Sequence, residues 1–463
     1  MSRDDPARSG AVEAERSSGR TTADHSQPAP VGSGLLLMAL APFAFGYLFS
    51  YLYRGANAVV AGDLVAELGL TAAELGLLTA AYLGAFAAFQ LPLGVLLDRY
   101  GPRRVQGGLV LFGAAGALLF SFGRDAMTLT VARAMIGIAF SGGLMSCFKA
   151  VVIWVSEPRR ALANACLMSV GGLGLLIATT PLELMARNFG WRPTFMGLAA
   201  VTFLAGMLIL LVVPERGVAI SSERLSRQIA QIGRIYTDRV FLAMAPLLAT
   251  TAGSHIAIQT LWVGPWFRDV GGLDRSGVAN SLLVMAGFFI VSILLSGVIA
   301  DRMVRRGYSL LTTMLGFLSI FFAVQVALLF NPGDPVLSLA LWCVFGMTGH
   351  VSVVSFPWVA RYFGSALSGR SNTAVNLLMF LWAFIAQYGI GGIIGLFPPS
   401  ASGGYAPEAY RVAFGIVLGV QILALLWFLA NHRLIRAAET TPKAQPETLD
   451  PARFTCAATG PMT

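Results

Sequence analysis

The sequence predicts an all-α polytopic membrane protein: twelve transmembrane helices in two pseudo-symmetric six-helix bundles. Three observations predict it. The chain of 463 residues is 56% apolar and only 12% charged, where a soluble globule carries about 25%. Its apolar residues fall into runs of about 20, the length a helix needs to cross a hydrocarbon core about 30 Å thick. A short polar string also occurs twice, at matching places in the two halves. The first copy is Gly94-Val95-Leu96-Leu97-Asp98-Arg99, followed by Gly101, Arg103 and Arg104. The second is Gly297-Val298-Ile299-Ala300-Asp301-Arg302, followed by Arg305, Arg306 and Gly307. Each copy closes the second apolar run of its half, as an internal repeat would place it.

Residues 1–33, rich in Ser, Gly, Pro and charge, read as a disordered lead. They have no secretory-signal pattern. Spans 1 to 6 are expected near 36–60, 73–97, 104–122, 127–153, 163–185 and 194–213, making a first bundle over 34–213. The longest polar connection, 214–239, follows, and the spacing of Leu225, Ile229, Ile232 and Ile235 reads as an amphipathic helix on the membrane surface. Spans 7 to 12 are expected near 241–266, 277–300, 309–330, 336–359, 373–397 and 411–431, a second bundle over 240–432. Residues 433–463 read as a polar, disordered tail.

Arginine asymmetry sets the orientation. One side collects Arg99, Arg103, Arg104, Arg159, Arg160, the linker arginines, Arg302, Arg305, Arg306, Arg361, Arg370, Arg433 and Arg436. The other holds Arg124, Arg187, Arg192, Arg268, Arg275 and Arg411. The positive-inside rule makes the first side cytoplasmic, with both termini on it, in a cell membrane of the bacterial inner-membrane kind. The net charge of +9 therefore reports topology, not nucleic acid. Trp191, Trp262 and Trp266 are expected at the outer interface. Four cysteines without a CxxC spacing indicate neither disulfide framework nor metal site. No paired carboxylates, activated nucleophile, cofactor loop or nucleotide site is legible, which argues against an enzyme and against direct ATP drive.

These residues carry a resemblance. Gly94, Asp98, Arg99, Gly101, Arg103 and Arg104 resemble the cytoplasmic signature between helices 2 and 3 of the major facilitator superfamily, and Gly297, Asp301 and Arg302 its counterpart between helices 8 and 9. Arg133 with Gly137 resembles the family's second motif, and Ser156-Glu157-Pro158-Arg159-Arg160 its turn between helices 4 and 5. Gly369-Arg370 stands at the equivalent turn of the second half. The resemblance implies that Asp98 meets the N-terminus of span 11 near Asn372, that Arg99 or Arg103 meets Glu157, and that these contacts latch the halves together. The alternative is that the arginines only fix orientation. Span 5 departs from the drug-antiporter branch: Gly171-Gly172-Leu173-Gly174 precedes Thr179-Thr180-Pro181, without the Gly-Pro pair.

Ionisable groups inside spans are costly and point to function. The resemblance implies that spans 1, 4, 7 and 10 line a central cavity. Span 1 carries Arg54, on one face with Tyr47 and Tyr51. Span 7 carries His255, with Gln259 and Trp262 on its face, and span 10 carries His350, with Trp342 and Gly346. An arginine cannot shed its proton and calls for an anion. Tyr53-Arg54 followed by Asn57 also resembles helix 1 of the family's organic-anion carriers. Against this, Arg54 has the alternatives of snorkelling or pairing with Asp63, and a membrane histidine that of a helix–helix hydrogen bond. Lys149 is expected to snorkel. A coupling proton would fall to a histidine or to Glu183. The reading is a monomeric secondary transporter of a small organic anion or metabolite, working by alternating access without a cofactor. The alternatives are a drug or metabolite efflux carrier and a transporter-like membrane sensor.

Overall fold

A computed structural model describes residues 33–156, 159–215, 230, 233–330, 333–349, 352–364, 367–400 and 404–440. Span 1 is α1, Ser33–Leu68. Spans 2 and 3 form one element, α2, Ala72–Phe122, of 51 residues. At about 1.5 Å per residue it is far too long for one crossing. It breaks at Gly101, whose φ of 75° only glycine adopts freely. Span 4 is α3, Ala126–Ser141, and α4, Gly143–Trp154. Span 5 is α5, Arg160–Ile177, and α6, Thr180–Phe189; span 6 is α7, Trp191–Val212. Span 7 is α8, Arg239–Ala257, a π-helical turn at Ile258–Trp262, and α9, Val263–Asp269. Span 8 is α10, Arg275–Arg305, and span 9 is α11, Leu310–Leu329. Span 10 is α12, Pro335–Thr348, and α13, Ser352–Phe363. Span 11 is α14, Ser368–Ile394, and span 12 is α15, Pro407–Ala430. A last short helix, α16, His432–Thr440, follows, with Ile435 buried.

Among the described residues, nine helices are long and apolar enough to cross a bilayer, and the bent span 5 makes a tenth. With α2 divided at Gly101 and α12 and α13 counted as one span, the described helices are consistent with the twelve expected runs. Caps fix the far-end turns. Asp125, between spans 3 and 4, accepts the Thr128 backbone N–H at 2.8 Å. That bond, with a second from the Thr128 hydroxyl, holds its carboxyl below the usual range.

Glycines set how closely helices approach, because little else draws helices together in lipid. A side chain at Gly137 would strike the Tyr82 backbone, and one at Gly174 the Leu48 backbone. This is the physical content of the second motif and of the glycine-rich start of span 5. Buried amides add polar joints: Gln325 and Gln421 exchange two hydrogen bonds, of 3.2 and 3.0 Å, between spans 9 and 12.

Three expectations need correction, and a fourth falls outside the described residues. Trp191, Trp262 and Trp266 are buried against neighbouring spans, at 4%, 0% and 2% exposure, so their rings face protein instead of lipid headgroups. The Trp191 indole donates to Glu67 at 2.6 Å and that of Trp262 to the Gln387 carbonyl at 3.0 Å. Lys149 does not snorkel; it pairs with Asp98 at 2.5 Å. Gly369 and Arg370 lie within α14, and the positive φ before that helix belongs to Gly364, at 75°. Finally, most of the proposed surface helix of the 214–239 connection, with Leu225, Ile229 and Ile232, lies outside the described residues.

Candidate functional site

Arg54 stands on α1 one turn beyond Tyr51, and its guanidinium is surrounded by rings. Its central carbon lies 4.8 Å from the centroid of Tyr51, 5.5 Å from Phe86 and 5.1 Å from Phe380. Phe86 on span 2 and Phe380 on span 11 stack at 4.1 Å, so this cage closes across the two halves. Tyr51 also meets Phe289 of span 8 at 6.4 Å and Tyr47 at 5.4 Å. The buried Nε of Arg54 has no hydrogen-bond partner. Among the described residues no carboxylate pairs with Arg54. The expected alternative, Asp63, is taken by Arg275 through two bonds of 2.7 and 2.9 Å. Ring faces attract a cation by about 0.5–2 kcal/mol each, against a cost of several kcal/mol for removing an ion from water. Three rings orient the charge without neutralising it.

The second arginine of the first half is arranged differently. Arg133 is 1% exposed, donates to the Tyr53 carbonyl at 2.8 Å and lies 5.0 Å from the Tyr82 ring. It braces spans 1, 2 and 4, as a structural member of the second motif should. On the cage side, Asn57 donates to the Thr79 hydroxyl at 3.0 Å and Tyr82 to the Ser50 carbonyl at 3.1 Å.

In span 7 the residues expected on one face separate. His255 is buried among Phe289, Phe321 and Phe345, at 6.2, 6.3 and 5.4 Å, and against Gly349. Gln259 is half-buried, its amide facing Gly346 of span 10. Trp262 turns instead toward span 11. The reason is the π turn, whose extra residue rotates everything beyond it by about 100°. The turn is fastened by Gln387, which donates to the Ala257 carbonyl at 3.1 Å and to the Thr260 hydroxyl at 3.0 Å. Trp262 is fully buried and packs against span 11. His350 and Glu157 lie outside the described residues.

At the signature loops, Asp98 pairs with Lys149 within the first half, in place of the expected start of span 11. Arg103 donates to the Leu210 carbonyl at 3.0 Å, and Arg104 pairs with Glu215 at 2.5 Å. Arg99 lies 5.4 Å from the Tyr100 ring. In the second copy Asp301 pairs with Arg305 at 2.7 Å, both exposed, and Arg302 is exposed beside them. Gly94 and Gly297 have open space around them, whereas Gly101 and Gly307 adopt φ of 75° and 86°. Between described residues, no ion pair at this end joins the first bundle to the second.

The opposite end is stitched across the halves. Arg275, at the start of span 8, holds Asp63 of span 1 and lies 3.0 Å from Glu183 of span 5. Thr180 donates to Asn280 at 3.0 Å, and Arg187 to Ser276 at 3.3 Å. Below them, side chains at Gly264 and Gly391 would meet the Ala58 and Ala72 carbonyls, at 2.6 and 2.5 Å. Sequence reading noticed Glu183 and Arg275 but had no signal that three separate spans bring them together with Asp63.

Comparison with known proteins adds three findings. The sequence profile described as Major Facilitator Superfamily matches residues 43–387. A probable sulfoacetate transporter of Cupriavidus necator is 25% identical over 84% of this chain and 93% of its own length, and a D-galactonate transporter of Escherichia coli is 23% identical over 83% and 92%. In fold, the chain is similar to a bacterial homologue of the human lysosomal transporter Spinster, with a TM-score of 0.69 at 15% identity, covering 87% of this chain and 98% of that one.

Proposed function

The chain belongs to the Major Facilitator Superfamily, and from that premise we propose that it carries a small organic anion across the membrane, held at Arg54. It is a multi-pass transporter and not an enzyme. The observation that carries the proposal is the ring cage, which presents a half-buried guanidinium, its Nε fully buried, with no carboxylate beside it among the described residues. A site left one positive charge in excess is completed by a ligand of the opposite sign. The names of the relatives, sulfoacetate and D-galactonate transporters, support the same class of cargo.

The arginine-rich end faces the cytoplasm of a bacterial inner membrane, with both termini there. The bundles comprise 34–213 and 240–432, joined by 214–239 and flanked by polar segments 1–33 and 433–463. The working unit is the single chain in its lipid bilayer. Movement of the bundles about Arg54 exposes the site to one side at a time. The ion pairs of the far end hold one closed state, and the signature loops, with Gly94, Asp98, Arg99, Gly101, Gly297, Asp301 and Arg302, reorganise in the other. Coupling to a proton falls to His255 or Glu183.

The test is exchange of radiolabelled organic anions in proteoliposomes, across short monocarboxylates, sulfonates and sugar acids. Saturable exchange that disappears in Arg54→Ala is expected. Exchange of cationic or neutral solutes alone, or anion exchange unchanged in Arg54→Ala, would remove the proposal.

A further inference from the structure

Several polar side chains of the neighbouring spans spend their donors on the protein itself, while among the described residues the buried Asn57 Oδ1 and Gln387 Oε1 keep no hydrogen-bond partner. Tyr82 donates to the Ser50 carbonyl, Asn57 to Thr79, Arg133 to the Tyr53 carbonyl, Gln387 to the Ala257 carbonyl, and Trp382 to the Ser254 hydroxyl at 2.9 Å. What surrounds the guanidinium is mostly ring surface, contributed by Tyr51, Phe86 and Phe380, with the Tyr82 hydroxyl accepting a hydrogen bond from it. A ligand that puts its anionic head on Arg54 lays its body on aromatic faces.

Resting on the reading of Arg54 as the anion site, we infer that the site selects compact monoanions with an apolar body and discriminates against polyhydroxylated acids. One planar guanidinium matches one carboxylate or sulfonate head, held by two parallel hydrogen bonds. Among the described residues, no second cation joins it to receive another charge. Each ligand hydroxyl brought against the rings leaves water without a protein partner, and an unpaired buried hydroxyl is costly. An aliphatic or aromatic body gains by the same move, because it buries apolar surface. Phe86 and Phe380 are therefore specificity-determining: they read the body of the ligand, and Arg54 reads its charge. Since the two rings come from different halves, they close on an apolar body only when the far end is shut.

The test compares hexanoate with galactonate, which share a carbon count and one carboxylate and differ in hydroxyls. Binding is measured on the purified full chain by titration calorimetry, beside Arg54→Ala and Phe86→Asn. Hexanoate is expected to bind at least about tenfold more tightly. Its binding is expected to be lost in Arg54→Ala, and the gap to narrow in Phe86→Asn, which places an amide at the cage. Equal or tighter binding of galactonate, still lost in Arg54→Ala, overturns this inference and leaves the anion reading standing. An undiminished gap in a folded Phe86→Asn also overturns it. Failure of both acids to bind the native chain, or retained binding in Arg54→Ala, overturns the anion reading itself.

Discussion

Arg54 and Arg275 both sit where the two halves of the molecule meet, and their surroundings are opposite. Arg275 has two acids for one cation: its fork is occupied by Asp63, and Glu183, 2% exposed, lies against its Nε. Among the described residues Arg54 has one cation and no acid, only rings and the Tyr82 hydroxyl. A guanidinium whose donors are filled by the protein holds helices together. One that the protein orients and leaves without a counter-charge is set up for something that arrives from solution. The difference separates a latch from a binding group using residues of the same type.

Substitutions can break that comparison at either end. The largest effect is expected from Arg54→Ala, which should weaken anion binding by about 100-fold, the usual cost of deleting one partner of a desolvated charge pair. Chain stability, followed by thermal unfolding in detergent, should hardly change, since no protein carboxylate loses its partner. Arg275→Ala should act in the reverse sense. It leaves Asp63 and Glu183 facing each other, and should favour opening of the far end by about 1–3 kcal/mol, the partial exposure of Arg275 reducing the ~3–5 of a fully buried pair. Accessibility of a cysteine placed at Ala58 to a membrane-impermeant thiol reagent reads this opening on the far side. Glu183→Gln should be milder, because Arg275 keeps its two-pronged bond to Asp63; the same assay should show less than half the shift. The smallest effect belongs to Lys149→Met. Its pair with Asp98 is partly exposed, at 22% and 41%, and should contribute about 0.2–1 kcal/mol to stability, while the cycling rate in exchange falls more visibly.

The comparison also shows what a sequence can carry. The span pattern and the turn glycines were legible, because hydrophobic length and positive φ are local properties. Gly101 and Gly307 sit where the repeated string puts them. Arg54 drew attention too, since a charge within an apolar run stands out. The cage was not: Phe86 and Phe380 are two of thirty phenylalanines, and nothing along the chain marks a pair that meets across two bundles. The Arg275 cluster was hidden for the same reason, with its three members on spans 1, 5 and 8. Trp262 was misplaced by a different cause. Helical periodicity assumes 3.6 residues per turn, and the π turn at Ile258–Trp262 voids the count. Lys149 and Asp98, on separate spans, gave no signal of their meeting.

The most direct measurement is equilibrium binding of one anion, the tightest ligand of the native chain, to purified Arg54→Ala and Arg275→Ala side by side. Binding lost in Arg54→Ala and kept within about tenfold in Arg275→Ala is the predicted result. Binding kept in Arg54→Ala and lost in Arg275→Ala would contradict the account, by placing the anion at the far end and the structural arginine in the cage.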